Sequence, residues 1–178
     1  MKLQNKTVLI TGGTSGIGLE LARQLLPRGN TVIVTGRDSA KLDAAARMLP
    51  GIFTIQSDVS DPLAIKALHE RVLAQFPTLD VLVNNAGIMR NLNITQDREL
   101  TDVTREIEIN LSGPVRMVQQ FLPHLRTRRD SAIVNVSSGL AFVPLPISPV
   151  YCATKAAIHS FSQSLRVQLE GTGVTVIE

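Results

Sequence analysis

The single tyrosine of the chain, Tyr151, stands four residues before Lys155. On a helix that spacing puts both side chains on one face, with Cβ atoms about 5–6 Å apart. A free phenol titrates near 10, so making it a working acid or base near neutral pH takes roughly 4 kcal/mol. One positive charge at about 4 Å, with an effective dielectric of about 20, supplies energy of that order. Lys155 is placed to do much of this work. The plainer reading also stands, because Tyr-xxx-Lys pairs occur on many helices without any chemistry.

Other polar residues of chemical type follow short apolar runs. Thr11-Gly12-Gly13-Thr14-Ser15-Gly16-Ile17-Gly18 follows Val8-Leu9-Ile10. A glycine turn from strand to helix lets backbone N–H groups approach a pyrophosphate, and the helix N-terminus adds its positive dipole end. The spacing is Gly12-xxx-Gly16-x-Gly18 and lacks the Gly-Lys-Ser/Thr ending of an NTPase loop. A tight turn with small residues for packing is the alternative. After the second run comes Thr35-Gly36-Arg37-Asp38. Gly36 offers no carboxylate to a ribose, whereas Arg37 suits a 2′-phosphate. Arg37 also reads as an ordinary surface arginine, and Asp38 as a helix cap or a partner for Arg37. Asp58 suits an adenine amino group or a turn cap equally.

Asn84-Asn85-Ala86-Gly87 reads as a tight turn whose amides brace the first loop. Ser137 and Ser138 end the fifth apolar run, where a hydroxyl reaches a substrate oxygen or merely shapes a turn. Asn110 falls inside a long helical stretch, against helix propensity. It holds a kink or a water there, or faces solvent.

The elements that must position these residues alternate along the chain. Strands are expected over 7–10, 31–35, 52–56, 81–83, 132–136 and 174–177. Helices are expected over 17–26, 39–49, 62–75, 97–125 and 150–169. The strands read as apolar on both faces, the pattern of a parallel sheet covered on both sides. Strand–helix alternation at this spacing points to an α/β fold with right-handed crossovers and ligands at the carboxyl ends of the strands.

Composition narrows the function. At 178 residues and 44% hydrophobic, the chain is sized for one globular domain. The formal charge of +3 and the 3% aromatic content give no nucleic-acid signature. The one cysteine, Cys152, excludes an intrachain disulfide and reads as a buried thiol in a cytoplasmic protein. His69, His124 and His159 lack metal-ligand spacing, so no metal is expected. His159, two turns past Tyr151, reads as packing or exposure. No run is long enough for a membrane span. The basic run 126–129 reads as a solvated loop. Ile158, Phe161, Leu165 and Leu169 form a stripe that is core or a subunit interface.

Taken in order, these motifs resemble the common branch of the short-chain dehydrogenase/reductase family. The resemblance rests on Thr11–Gly18, Asn84–Gly87, Asn110, Ser138, Tyr151 and Lys155, and it covers essentially the whole chain. Residues 138–142 and 149–155 also resemble a bacterial subgroup linked to teichoic-acid D-alanylation genes. The resemblance implies a Rossmann-type doubly wound parallel sheet, and NADP, or NAD, as cofactor. It places the dinucleotide on Gly12, Thr14, Ser15, Gly16, Ile17 and Gly18. Arg37, Asp58 and Val59 would hold its adenosine end, Asn85, Ala86 and Gly87 its middle, and Tyr151 and Lys155 its nicotinamide ribose.

The resemblance further implies that Tyr151 is the general acid or base and that Lys155 lowers its pKa. Ser138, thirteen positions before the tyrosine, would hold the oxygen of a small carbonyl or alcohol substrate. Asn110 would hold a water linking Lys155 to solvent. A homodimer or homotetramer through the two long C-terminal-half helices is expected. A dinucleotide-binding sensor without turnover is the alternative reading. Family members usually continue past a sixth strand through a substrate-covering segment and an edge strand. The 178 residues are therefore expected to be a fragment, or the ordered part, of a roughly 230–260-residue protein.

Overall fold

The structure, a computed structural model, describes residues 2–178. The strands are β1 (Thr7–Thr11), β2 (Thr31–Gly36), β3 (Phe53–Gln56), β4 (Leu79–Asn84), β5 (Ser131–Asn135) and β6 (Val174–Ile177). All pair in parallel in the order β3-β2-β1-β4-β5-β6. The helices are α1 (Gly16–Leu25), α2 (Ser39–Met48), α3 (Pro62–Gln75), α4 (Leu100–Val103), α5 (Arg105–Ile107), α6 (Gly113–Leu125) and α7 (Pro149–Gln168). The order reverses between β1 and β4, which opens a crevice at their carboxyl ends.

Successive strand residues point to opposite faces, so one strand feeds two cores. Leu9, Ile33, Leu82 and Ile133 pack with Leu68 and Val72 of α3, Met117 and Phe121 of α6, and Leu165 of α7. Val8, Ile10, Val32, Val34, Val81 and Val83 pack with Ala22 and Leu25 of α1 and Leu42 and Ala45 of α2. The central strands β1 and β4 are buried along their whole length, as expected. The edge strands are not: β3 exposes Phe53 and Gln56, and β6 exposes Thr175 and Ile177. Ile158, Leu165 and Leu169 are buried, with Phe161 packed on the same core. The stripe on α7 is therefore internal to this chain.

The expected long helix over 97–125 is broken into α4, α5, a π turn at Glu108–Ser112, and α6. Proline is the physical reason for the π turn. Pro114 has no N–H to return to the Asn110 carbonyl in an α-type bond. The Gly113 amide instead reaches the Glu108 carbonyl, five residues back. Such single wide turns recur at functional sites. Within the basic run, Arg128 donates through Nε and Nη2 to Asp80 Oδ1, both at 3.2 Å. The other Asp80 oxygen accepts from the Thr7 amide at 3.1 Å, so Arg128 braces the start of β1. Among the described residues no helix is long and apolar enough to cross a membrane.

Candidate active site

The loop after β1 turns sharply because two glycines take left-handed backbone. Gly12 has φ +66°, and a Cβ there would lie 2.8 Å from the Ala86 Cα. Gly16 has φ +55°, with nothing within 4 Å of where its Cβ would stand. Only glycine fits both demands, a close approach on one side and a strained turn facing open space on the other. Ser15 caps α1 without a side-chain capping bond, which leaves the first-turn amides facing the cleft. Gly18 is buried in the first turn of α1, against Asn85 and Gly12, and does not line the cleft.

The turn after β4 holds this loop, as its two asparagines suggested. Asn85 Nδ2 donates to the Thr11 and Gly12 carbonyls at 2.9 and 3.1 Å. The Asn85 and Ala86 amides both donate to Thr11 Oγ1, each at 3.0 Å. Behind them, Asn84 Nδ2 donates to Asn135 Oδ1 at 2.9 Å, and Asn135 Nδ2 to Ser162 Oγ at 2.9 Å. This ladder ties β4, β5 and α7 together beneath the cleft.

At the end of β2, Asp38 caps α2 by accepting from the Lys41 amide at 3.1 Å. That decides between its two sequence readings, because the carboxylate serves the helix. Arg37 and Lys41 both line the cleft beside Gly36. Asp58 accepts from the Ser60 amide and hydroxyl at 2.9 and 2.7 Å, the turn-capping geometry. Burial opposes its ionisation, but the Ser60 hydrogen bonds and the Arg37 and Arg105 charges win and hold its carboxyl below the usual range.

The opposite end of the cleft gathers Tyr151 and Lys155 on the first turns of α7. Lys155 Nζ lies 5.7 Å from the centroid of the Tyr151 ring and donates to the Val136 carbonyl at 2.6 Å. Burial pushes the lysine pKa below its ordinary value of 10.5. Asn110 is 1% exposed, so it does not face solvent. Its carboxamide is fully engaged: Oδ1 accepts from the Ile88 amide, and Nδ2 donates to the Ile88 carbonyl and to Thr154 Oγ1. No side-chain donor is spare for a water.

The two serines differ. Ser137 lines the cleft, and its hydroxyl is buried with no partner. Ser138 Oγ accepts from the Leu140 amide at 3.2 Å, which leaves its own hydrogen free to donate. His159 does not line the cleft and pairs with Glu178 at 2.9 Å.

Two supporting residues escaped sequence reading, and a third, Thr11, was read only as part of the glycine-loop motif. Thr154 links Asn110 to α7 by donating to the Tyr151 carbonyl at 2.7 Å. Glu106 is fully buried and accepts from the Arg90 amide at 2.8 Å, one turn before Asn110. Thr11 collects the two amides of the β4 turn. Thr11 alone had a visible signal, its place at the head of the glycine loop.

The cleft has a volume of about 510 Å³ and runs from Arg37 past Gly12, Thr14, Ser15, Gly16 and Ile17 to Tyr151 and Lys155. Asp58, Val59, Ala86 and Gly87 also line it. A cradle of glycine backbone, a helix N-terminus and two cations at one end matches the donor set a dinucleotide requires. Ser138 and Asn110 stand behind or beside the cleft rather than in its wall.

Known proteins resemble this chain in sequence and fold. The model of the short chain dehydrogenase family matches residues 6–178. The oxidoreductase DltE of Bacillus subtilis (strain 168) is 53% identical over 179 residues, covering 100% of this chain and 71% of that protein. The NADP-dependent 3-hydroxy acid dehydrogenase YdfG of Salmonella typhi is 36% identical, covering 96% of this chain and 69% of its own length. A solved short-chain dehydrogenase from Streptomyces avermitilis superposes with a TM-score of 0.88 at 32% identity. That match covers 96% of this chain, which spans 63% of the solved one. The ordered motifs, the sheet order and the family match agree, and the chain belongs to the short-chain dehydrogenase/reductase family.

Proposed function

We propose that the protein is an oxidoreductase acting between a carbonyl and its alcohol, with NADP(H) preferred over NAD(H). The observation that carries this reading is the Tyr151–Lys155 pair at one end of a cleft whose other end is a glycine cradle. The bound dinucleotide supplies or accepts the hydride. The chain's own residues do the rest. The first-turn amides of α1 and the loop backbone bind the pyrophosphate. Arg37 and Lys41 face the adenosine end, where a 2′-phosphate would gain charge-assisted contacts. Asp38 does not compete, because its carboxylate caps α2. YdfG, the relative described as NADP-dependent, supports the same preference.

Ser138 donates its free hydrogen to the substrate oxygen. Tyr151 gives that oxygen a proton in reduction and takes it back in oxidation. Lys155 favours the tyrosinate by its charge and holds the ribose. Asn110 keeps the Ile88 loop and α7 in register through Thr154. Self-association would use the outward sides of α6 and α7, where Val115 and Val167 are exposed.

Tyr151→Phe tests the reading. Phenylalanine keeps the packing and removes the only phenol, so turnover should vanish while dinucleotide affinity stays within a few-fold. Near-native turnover in the variant removes Tyr151 from the mechanism. Dinucleotide binding with no turnover by the unmodified protein on any carbonyl or alcohol favours a sensor.

A further inference from the structure

The segment joining Ser138 to Tyr151 carries no charge, and every residue from Val136 to Thr154 is neutral. Its large side chains nevertheless stand in solvent. Phe142 is 65% exposed, Val143 72% and Ile147 55%. Met89, 47% exposed, lines the cleft together with Tyr151. The two loops are tied to one another, because the Leu92 amide donates to the Ile147 carbonyl at 2.9 Å. Single exposed apolar residues are ordinary on protein surfaces. These four sit on the two loops that border the end of the cleft where Tyr151 stands.

The ionic groups around that end are already engaged. Arg90 Nη1 bonds Asp102 Oδ1 at 2.7 Å and Nη2 bonds the Asp102 carbonyl at 2.6 Å, while its unpartnered Nε is buried away from solvent. His159 pairs with Glu178 and packs its ring against Phe142, centroids 4.6 Å apart. Lys155 is buried on the Val136 carbonyl. Arg37 and Lys41 lie at the far end. A carboxylate or phosphate on the substrate would therefore lose water here without gaining a partner, which is costly. An apolar arm would gain by covering the exposed side chains.

We infer that the substrate is an uncharged ketone, or the matching secondary alcohol, with an apolar arm that lies over Phe142, Val143, Ile147 and Met89. The inference rests on the oxidoreductase reading above. It separates this protein from a dehydrogenase of 3-hydroxy acids, the class that names one of its relatives. In reduction the C=O π bond breaks. The carbon receives hydride from the bound dinucleotide, which is oxidised, and the oxygen receives the Tyr151 proton.

The experiment compares 2-butanone, 2-hexanone, 2-octanone and acetophenone with the charged ketones acetoacetate and levulinate, all in the reducing direction. Binding to the protein–NADPH complex is read by quenching of NADPH fluorescence, and turnover by NADPH absorbance. Each added methylene should improve both affinity and kcat/KM by about fourfold until the apolar surface is covered. Phe142→Ser and Ile147→Ser should flatten that slope and leave NADPH affinity unchanged. A flat chain-length series overturns the inference, including where a later segment or a second copy covers the patch. So does a preference for the charged ketones with turnover intact, although the oxidoreductase reading then survives. Alkanone binding that tightens with length but is never turned over leaves only an apolar binding surface and removes both the oxidoreductase reading and the substrate assignment. Absence of both binding and turnover removes both.

Discussion

Asn110 grips both backbone groups of Ile88, accepting from its amide and donating to its carbonyl, each at 2.8 Å. One turn earlier, Glu106 takes the Arg90 amide. Two side chains of the broken helix thus hold alternate residues of one extended loop, and Met89 between them lines the cleft.

Asn110→Ala should therefore damage stability and activity together. It strands the part-buried Ile88 amide and carbonyl, at about 1–3 kcal/mol for each group left unsatisfied, and leaves Thr154 only its bond to the Tyr151 carbonyl. Urea unfolding should show a loss of about 2–4 kcal/mol, within the range of buried polar deletions, and kcat should fall. A variant of unchanged stability would mean that water replaces the carboxamide freely.

The two serines make a discriminating pair. Ser138→Ala removes the hydroxyl with a free hydrogen and should cut kcat about 10²–10³-fold, the usual cost of losing a donor to a reacting oxygen. Ser137→Ala should cost less than about tenfold, because that hydroxyl has no protein partner to lose. Steady-state kinetics on both variants decides the matter, and the reverse ranking moves the substrate contact to Ser137.

Arg37→Ala should weaken NADPH about ten- to hundred-fold, the value of one charge-assisted contact, and leave NADH nearly unchanged. Lys41→Ala should act in the same direction. Fluorescence titration of both cofactors is the measurement, and equal binding of the two, or an unchanged preference in Arg37→Ala, would make Arg37 a surface residue only.

How much of this was legible beforehand depended on the range of the signal. Strand and helix alternation was visible because apolar periodicity is local, and all six strands lie within two residues of their expected ends. The break at 108–112 was missed, although Gly113-Pro114 carried its cause, because the apolar pattern runs straight through it. Asn85 was readable as a brace since its turn adjoins the glycine loop in any doubly wound sheet. Thr154 and Glu106 were not readable. Their partners, Asn110 and Arg90, lie 44 and 16 residues away, and nothing in the local pattern marks a pairing across that distance. Apolar alternation at β3 and β6 differed from the expectation because edge strands have only one neighbour to shield them.

Acid should reveal Asp58. Its folded pKa lies below the ordinary 3.8, so its carboxylate contributes stability that is present above that value and is lost as pH falls through the folded pKa. Asp58→Asn should lower the urea midpoint at pH 6, with the gap narrowing progressively as pH falls below the ordinary carboxylate value and through the folded pKa. A gap that does not narrow at all as the pH is lowered would assign the effect to hydrogen bonding rather than charge.

The sheet order also has a consequence for how the chain comes into being. β1 emerges first yet ends in the middle, pairing Thr7 with Thr31 on one side and with Leu79 on the other. Its second partner leaves the ribosome roughly 70 residues later, several seconds at about 5–20 residues per second. Through that interval Val8, Leu9 and Ile10, each wholly enclosed in the finished protein, have one flank bare. The nascent chain is most vulnerable to mispairing at the strand that later anchors the glycine loop, and its yield depends on what shelters that strand until β4 arrives.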